Sequence, residues 1–378
     1  MSVAQRFDVI VVGVGAMGSA VCRHLARRGQ RVLGLERFDI PHAMGSSHGV
    51  TRIIRMAYFE DPSYVPLLAR SYQLWRDLEA ETGETLLVIT GGVDAAPEDH
   101  SVFQGSLASC RLHDLAHEVL TGAEVGERFP GYRLPDDHMA VLQPDGGYLL
   151  SERCVVAHVA AAQSDGAEIH AREEVLGWDA GASGVVVRTT RGEYRADRLV
   201  ITAGPWSGGL VEAIGDLAVP ERQVLAWFQP IRPELFTRDR FPIFNVEVDE
   251  GHFYGFPVET IPGFKVGLYH HLRQEVDPDH MDREPNPSDE APLREFTERY
   301  FPDAAGPTMT LKTCLFTNSP DEHFIIDHHP DSDRIVLAAG FSGHGFKFSS
   351  VVGEILADLS IDGETSHDIG LLRLDRFG

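Results

Sequence analysis

With 57 acidic against 33 basic side chains, this 378-residue chain has a formal net charge of -24, which opposes nucleic acid or an anionic membrane as partner. A hydrophobic share of 43% and a charged share of 24% are ordinary for a soluble globular protein, and the length suits about two or three domains. The four cysteines are widely spaced and form no CxxC pair, so they read as free thiols of a reducing, cytoplasmic compartment rather than a disulfide framework.

The chain starts almost directly in a strand, leaving no room for a signal peptide, and no apolar run reaches membrane-spanning length. Val9-Ile10-Val11-Val12 leads into Gly13-Val14-Gly15-Ala16-Met17-Gly18, then a helical stretch to Gly29 and a second apolar run, Val32 to Leu35, ending on Glu36. This is a β-turn-α-β unit with a dinucleotide fingerprint. Gly13 serves the tight turn, Gly15 the approach of a pyrophosphate, and Gly18 the close seating of helix on strand. The free N–H groups of the helix start accept the phosphate charge, and Glu36 accepts from ribose hydroxyls. A carboxylate there repels a 2′-phosphate, so FAD or NAD is favoured over NADP.

After Glu36 comes a turn-rich loop from Ile40 to Gly49, then Thr51-Arg52-Ile53-Ile54-Arg55, whose two arginines are expected on one face of a helical turn as anion ligands. Tyr64 to Thr82 has helical periodicity, with Val65, Leu68, Tyr72, Trp75 and Leu78 on one side. Leu86 to Asp94 reads as a strand, the charged segment to Pro144 as an excursion from the nucleotide fold, and Glu152 to Ser164 as a helix. Strand-like runs at 167–174 and 184–190 precede Arg198 to Gly204, a buried parallel strand ending in Ala-Gly, after which Pro205-Trp206 starts a helix.

From Val219 to Lys312 the texture changes. Runs at 224–228, 252–256 and 264–268 suggest an antiparallel sheet, with a surface helix from Pro292 to Tyr300. Nucleotide-fold texture then returns at Phe324 to Asp327 and in a second Ala-Gly strand, Ile335 to Gly340. Phe341-Ser342-Gly343-His344-Gly345-Phe346-Lys347 opens the last long helix. Its glycines let a second helix N-terminus approach a ligand and stabilise negative charge. A reduced flavin carries such charge on its ring edge and a nicotinamide does not, which favours FAD over NAD. The expected architecture is α/β: a Rossmann-like, discontinuous FAD-binding domain over 1–85, 146–216 and 320–378, and a second α+β substrate domain built on an antiparallel sheet over 86–145 and 217–319.

The fingerprint, Gly45-Ser46-Ser47-His48-Gly49, Thr51 to Arg55, Tyr254-Gly255-Phe256-Pro257, Cys314, Pro320-Asp321-Glu322 and Gly340 to Lys347 together resemble the monomeric sarcosine oxidase family of D-amino-acid-oxidase-type flavoproteins. That family also includes N-methyltryptophan and pipecolate oxidases, and the resemblance spans the chain. It implies FAD attached through a cysteine thioether, here Cys314. It implies hydride transfer from a secondary amino acid to flavin N5, then reoxidation by O2 to give hydrogen peroxide. Hydrolysis of the imine releases formaldehyde when an N-methyl group is oxidised.

The resemblance matches Arg52 and Lys347 to the pair holding the substrate carboxylate, and Lys265 to the lysine that assists O2 near N5. His48 and Arg55 match residues lining the flavin face; Gly343, His344 and Gly345 belong to the cofactor turn, and Tyr254 to the substrate pocket. The family's pocket histidine falls one residue late, at His270 or His271, with His270 the candidate. Phe316 stands in place of a tyrosine and Val50 in place of an acid. The partners implied are a small amino acid and O2, with the protein a monomer. A same-fold dehydrogenase using another acceptor and a flavin-binding protein without turnover are the alternatives; an NAD-dependent dehydrogenase explains neither Cys314 nor the second glycine turn.

Overall fold

In the computed structural model, which describes residues 6–378, the fingerprint strand runs Arg6–Val12 and the helix after its turn Ala16–Arg27. The residues before Arg6, on which the expectation of no signal peptide rests, lie outside the described residues. From Val9 to Val12 the strand is apolar because both faces are covered. Val9 and Val11 pack with Val21, Cys22 and Leu25 of the helix, while Ile10 and Val12 pack with Leu33, Leu199 and Ile201. Its parallel neighbours are Val32–Leu35 and Glu193–Ile201, and Ser332–Ala339 extends the parallel set of an eight-stranded sheet. Both Ala-Gly strands therefore end at the same edge as the fingerprint turn, where the backbone is free to face a ligand.

A nine-stranded, mostly antiparallel sheet forms the second layer. Val219–Phe228 pairs with Phe264–Leu268 and Thr308–Asn318, and Ile243–Val248 with Gly251–Phe256. Its core is aromatic; the Phe253 and Phe296 rings stack with centroids 3.8 Å apart. Phe296 lies on the helix Pro287–Tyr300, which starts earlier than the Pro292 expected from sequence because Asn286 and Asp289 form a capping box with Pro287 at the first position. The excursion before Pro144 is not irregular: it contributes Gly92–Pro97, Glu118–Thr121 and His138–Gln143 to this sheet and packs the helix Ser101–Leu112 on it.

A third, three-stranded sheet of Thr51–Ile54, Leu87–Ile89 and Gly147–Leu150 links the two layers. It corrects two expectations. The run Leu86 to Asp94 is divided between two sheets, and Arg52 lies in the strand Thr51–Ile54 with Arg55 directly after it, rather than both on a helical turn. Three β-branched residues, Thr51, Ile53 and Ile54, favour the strand. In an extended chain an odd spacing sends two side chains to opposite faces, so the two arginines serve different places.

Two helix starts also differ. Pro205-Trp206 opens only a 3-10 turn and the four-residue helix Ser207–Leu210. The last helix, Ser349–Asp362, follows a 3-10 turn Phe346–Phe348, because Ser342 and Gly343 adopt positive φ of 43° and 77° and keep Gly340 to Gly345 as an open turn. No helix among the described residues is long and apolar enough to cross a membrane.

Candidate active site

One cavity, open to solvent, runs from the fingerprint turn to the aromatic sheet, with about 2080 Å³ of space when its open mouth is counted. At its first end Gly18 seats helix on strand so closely that a Cβ would lie 1.8 Å from Gly13 O. A Cβ on Gly15 would meet nothing nearer than Ser47 Oγ at 3.6 Å, and Gly15 lines the cavity. The helix Ala16–Arg27 has no acid in its first turn, leaving its positive end open to an anion. Glu36 accepts from Val14 N–H and Phe38 N–H, both at 2.9 Å. Burial works against its charge, but His42 and those two N–H groups outweigh it and hold the carboxyl below the usual range.

The second glycine turn forms the opposite wall. A Cβ on Gly343 would come within 2.4 Å of the Phe316 ring, so only glycine lets that ring line the cavity here. His344 donates from Nε2 to Glu322 O at 2.9 Å, which leaves Nδ1 to accept from Tyr58 Oη at 2.5 Å. Burial pushes its pKa down to about 4, so the ring is neutral. Lys347 Nζ donates to His344 O at 2.9 Å, and burial, reinforced by the Arg55 charge, lowers its pKa to about 7.

Arg55 is the cation that accompanies Lys347. Its guanidinium donates to both Glu60 oxygens at 2.8 and 2.7 Å and to Ala57 O at 2.6 Å. Burial opposes the Glu60 charge, but Arg55 outweighs it and brings the carboxyl down to about 2. Arg52, expected beside Lys347, instead donates to Ser46 O at 2.8 Å and to Cys314 Sγ at 3.4 Å. Both arginines and Cys314 line the cavity, at different stations along it.

Four expected residues stand off the cavity wall. Gly18 acts through packing, as described. His48 is buried, its Nε2 without a partner, and burial with the Arg52 charge lowers its pKa to about 3. Lys265 is buried behind the wall, donating to Gly49 O at 2.8 Å and Thr51 O at 2.6 Å; burial drives its pKa well below the ordinary lysine value. His270 turns away altogether. Its backbone is left-handed, with φ 55° and ψ 46°, and its ring is held between Glu221 and Glu322 at 3.1 Å each.

Tyr269 takes the position at the wall expected for His270, its hydroxyl donating to Ser342 O. Tyr254 lines the wall as expected, over Gly267, where a Cβ would fall 2.5 Å from the phenol. Phe59, Glu60, Asn245 and His252 complete it, although no sequence motif marks them. Asn245 carries a readable signal all the same: a carboxamide inside the apolar strand Ile243–Val248 needs a buried partner.

The wall suits an adenine dinucleotide with a second, anionic ring system. The open helix end and Glu36 match a pyrophosphate and a ribose, and Thr317 Oγ1, buried and lining the cavity, has no hydrogen-bond partner in the protein. A parallel sheet with an acid-tipped glycine turn, facing a second glycine turn that carries a buried lysine, defines a dinucleotide-dependent oxidoreductase. The chain belongs to the FAD dependent oxidoreductase (DAO) family, whose pattern matches residues 8–359. It is 41% identical to the monomeric sarcosine oxidase of Bacillus sp. (strain NS-129), covering 99% of this chain and 97% of that one. It is 34% identical to the N-methyl-L-tryptophan oxidase of Yersinia pestis (strain Pestoides F), covering 98% and 99%. Among solved structures, NikD, an unusual amino acid oxidase essential for nikkomycin biosynthesis, superposes with a TM-score of 0.84 at 27% identity, covering 98% and 97%.

Proposed function

We propose that the protein is an FAD-dependent oxidase of secondary amino acids, either sarcosine-like N-methyl amino acids or cyclic imino acids, with O2 as electron acceptor. The observation that carries this reading is Lys347. It is a buried amine on the cavity wall, next to Arg55, and among the described residues it has no acidic partner. Arg55 already holds Glu60, so the amine invites an anion from outside the protein, and a substrate carboxylate supplies one. The likeness to sarcosine and N-methyltryptophan oxidases supports the same substrate class.

The carboxylate clamp is therefore Arg55 with Lys347, in place of the Arg52 with Lys347 expected from sequence. Tyr254, Tyr269 and Phe59 would pack the rest of the substrate and exclude water. Glu36, the fingerprint helix and the turn through Gly343, His344 and Gly345 would hold FAD, and Cys314 would carry it through a thioether, its sulfur oriented by Arg52. When bound, FAD supplies the two-electron chemistry, accepting a hydride equivalent from the carbon beside the substrate nitrogen and delivering the electrons to O2 as hydrogen peroxide. Lys265, whose amine the Gly49 and Thr51 carbonyls hold behind the wall, would assist the reaction of reduced flavin with O2. The released imine of an N-methyl substrate hydrolyses in water to the amino acid and formaldehyde.

We also assign the cofactor domain to 1–85, 146–216 and 320–378 and the substrate domain to 86–145 and 217–319. Every strand of the eight-stranded sheet falls in the first set and every strand of the nine-stranded sheet in the second, which supports the division. The protein is taken as cytoplasmic, a reading supported by four free cysteines, all buried, and as a monomer, a reading supported by the likeness to a monomeric sarcosine oxidase. The test is an oxygen-electrode assay with sarcosine, N-methyltryptophan, pipecolate and proline. Oxygen uptake matched by peroxide, with formaldehyde from the N-methyl substrates, is expected. Flavin bleaching by these amines without oxygen uptake would replace the oxidase by a dehydrogenase, and no bleaching by any of them would remove the substrate class.

A further inference from the structure

The segment that follows Arg55 is irregular, buried backbone, and its polar groups are satisfied from another sheet. Gln143 Oε1 accepts from both the Met56 and Ala57 N–H groups at 2.9 Å, and Ser109 Oγ donates to Tyr58 O at 2.5 Å. Arg55 closes on the same stretch through Ala57 O. Gln143 presents its oxygen to that backbone because its nitrogen is engaged behind it, donating to Asp94 Oδ2 at 3.3 Å. Asp94 is fully buried and also accepts from Ser106 Oγ at 2.8 Å and Asn245 Nδ2 at 2.7 Å. Three donors aimed at one carboxyl suit an ionised aspartate, which accepts at every lone pair, and would leave an asparagine with a clashing N–H. Neither Asp94 nor Gln143 lines the cavity.

A fully buried carboxylate is costly unless its surroundings need it. Here one path runs outward to the arginine: Asp94 fixes the Gln143 carboxamide, the carboxamide fixes the backbone at Met56 and Ala57, and that backbone carries Arg55; a second, through Asn245, reaches the cavity wall directly. We propose that Asp94 and Gln143 are positioning residues for substrate carboxylate recognition, holding the Arg55–Tyr58 turn so that the guanidinium stays registered with Lys347. The excursion between residues 86 and 145 thereby serves the substrate site, since its strands Gly92–Pro97 and His138–Gln143 and helix Ser101–Leu112 supply Asp94, Gln143, Ser106 and Ser109. This inference rests on the carboxylate clamp of the proposed function.

The experiment compares the wild-type holoenzyme with Asp94→Asn, Gln143→Met and the milder Ser106→Ala. KM for sarcosine, kcat at saturation, flavin content, and the Kd of methoxyacetate by calorimetry are measured for each. Methoxyacetate carries the carboxylate without the oxidisable amine. Asp94→Asn and Gln143→Met are expected to raise KM and this Kd together by about tenfold or more, and Ser106→Ala by about threefold, with flavin content and kcat within about twofold of wild type. Adding Gln143→Met to Arg55→Met should cost no further affinity, since both act through one guanidinium. Unchanged KM and Kd in soluble Ser106→Ala and Gln143→Met proteins would overturn the inference. So would a loss in kcat and flavin content with no change in methoxyacetate binding. If wild type binds methoxyacetamide as well as methoxyacetate and Arg55→Met changes neither, the clamp itself falls. If wild type prefers the carboxylate and the three variants keep that preference in full, only the positioning role falls.

Discussion

Arg55 and Lys347 meet at one ring: the Arg55 guanidinium carbon lies 4.5 Å from the centre of Tyr58, and Lys347 Nζ lies 5.2 Å from it. One comes from the end of the small sheet and the other from the second glycine turn, so the clamp forms only where the two layers join. Lys347→Met is expected to raise KM for an amino acid substrate on the order of 100-fold with flavin binding retained, because it removes a buried charge that a carboxylate would pair with. Arg55→Met should raise KM similarly but also lower Tm, since it leaves Glu60 buried and unpaired. In Arg55→Met/Glu60→Gln the Tm should recover while KM does not. Steady-state kinetics with thermal melts on the three proteins check this, and a normal KM in Lys347→Met would remove the clamp.

The lowered pKa of Lys347 gives binding a pH dependence of definite sign. Its charged form binds the carboxylate, and with a pKa of about 7 in the ligand-free protein that form is lost as pH rises through neutrality. Among its neighbours, His344 sits at about 4, Glu60 at about 2, and Arg55 stays charged because Glu60 outweighs its burial. The Kd of methoxyacetate is therefore expected to be flat below about pH 6 and to rise by up to about tenfold per unit above pH 8. Lys347→Arg should abolish the rise, because arginine keeps its charge. A Kd independent of pH in wild type would show that Lys347 is not the titrating partner.

The proposed cofactor half of the site rests on features that are local in the sequence. Gly13, Gly15, Gly18 and Glu36 act through backbone and spacing within one β-turn-α-β unit, and the Gly340–Lys347 turn likewise sits in a single stretch. The substrate half depends on geometry that spacing does not carry. Arg52 and Arg55 read as one pair only on a helix; on extended chain they part, one to Cys314 and the other to Glu60. A left-handed turn at His270 exchanges the expected histidine for Tyr269 at the wall. Asn245 and His252 reach the cavity from neighbouring antiparallel strands, and no local motif announces either.

The proposed thioether at Cys314, whose sulfur Arg52 contacts at 3.4 Å, can be tested separately from substrate binding. Cys314→Ser is expected to release all the yellow colour to the supernatant on acid precipitation. Arg52→Met should reduce the fraction of flavin retained in the pellet by several-fold, about what is lost with one charge-assisted hydrogen bond, while leaving methoxyacetate affinity within about threefold. The opposite pattern, intact attachment with lost affinity, would return Arg52 to the carboxylate. Absorbance of pellet and supernatant, with calorimetry on the same preparations, distinguishes the two.

His270, displaced from the cavity, has a structural role with its own pH signature. Its ring bridges Glu221 on the strand Val219–Phe228 and Glu322 in the turn before Ile325–His329, joining the second sheet to the cofactor sheet. Burial opposes its charge, but the two carboxylates outweigh it and raise the pKa to about 9. The reciprocal effect lowers the Glu322 carboxyl, chiefly through the hydrogen bond from His270. A histidine whose pKa is higher folded than unfolded stabilises the protein fully below its unfolded value, near 6.5, and that stabilisation is lost as pH rises through about 9. Wild-type Tm is therefore expected to fall between pH 7 and pH 10. His270→Gln, which can still hydrogen-bond but carries no charge, should lower Tm by roughly 2–4 °C at pH 6.5 and by almost nothing at pH 10. Equal losses at both pH values would mean that the ring packs there without its charge. Because Tyr269 is the adjacent residue and stands at the cavity wall, the same ion pairs that join the two sheets also fix this part of the wall.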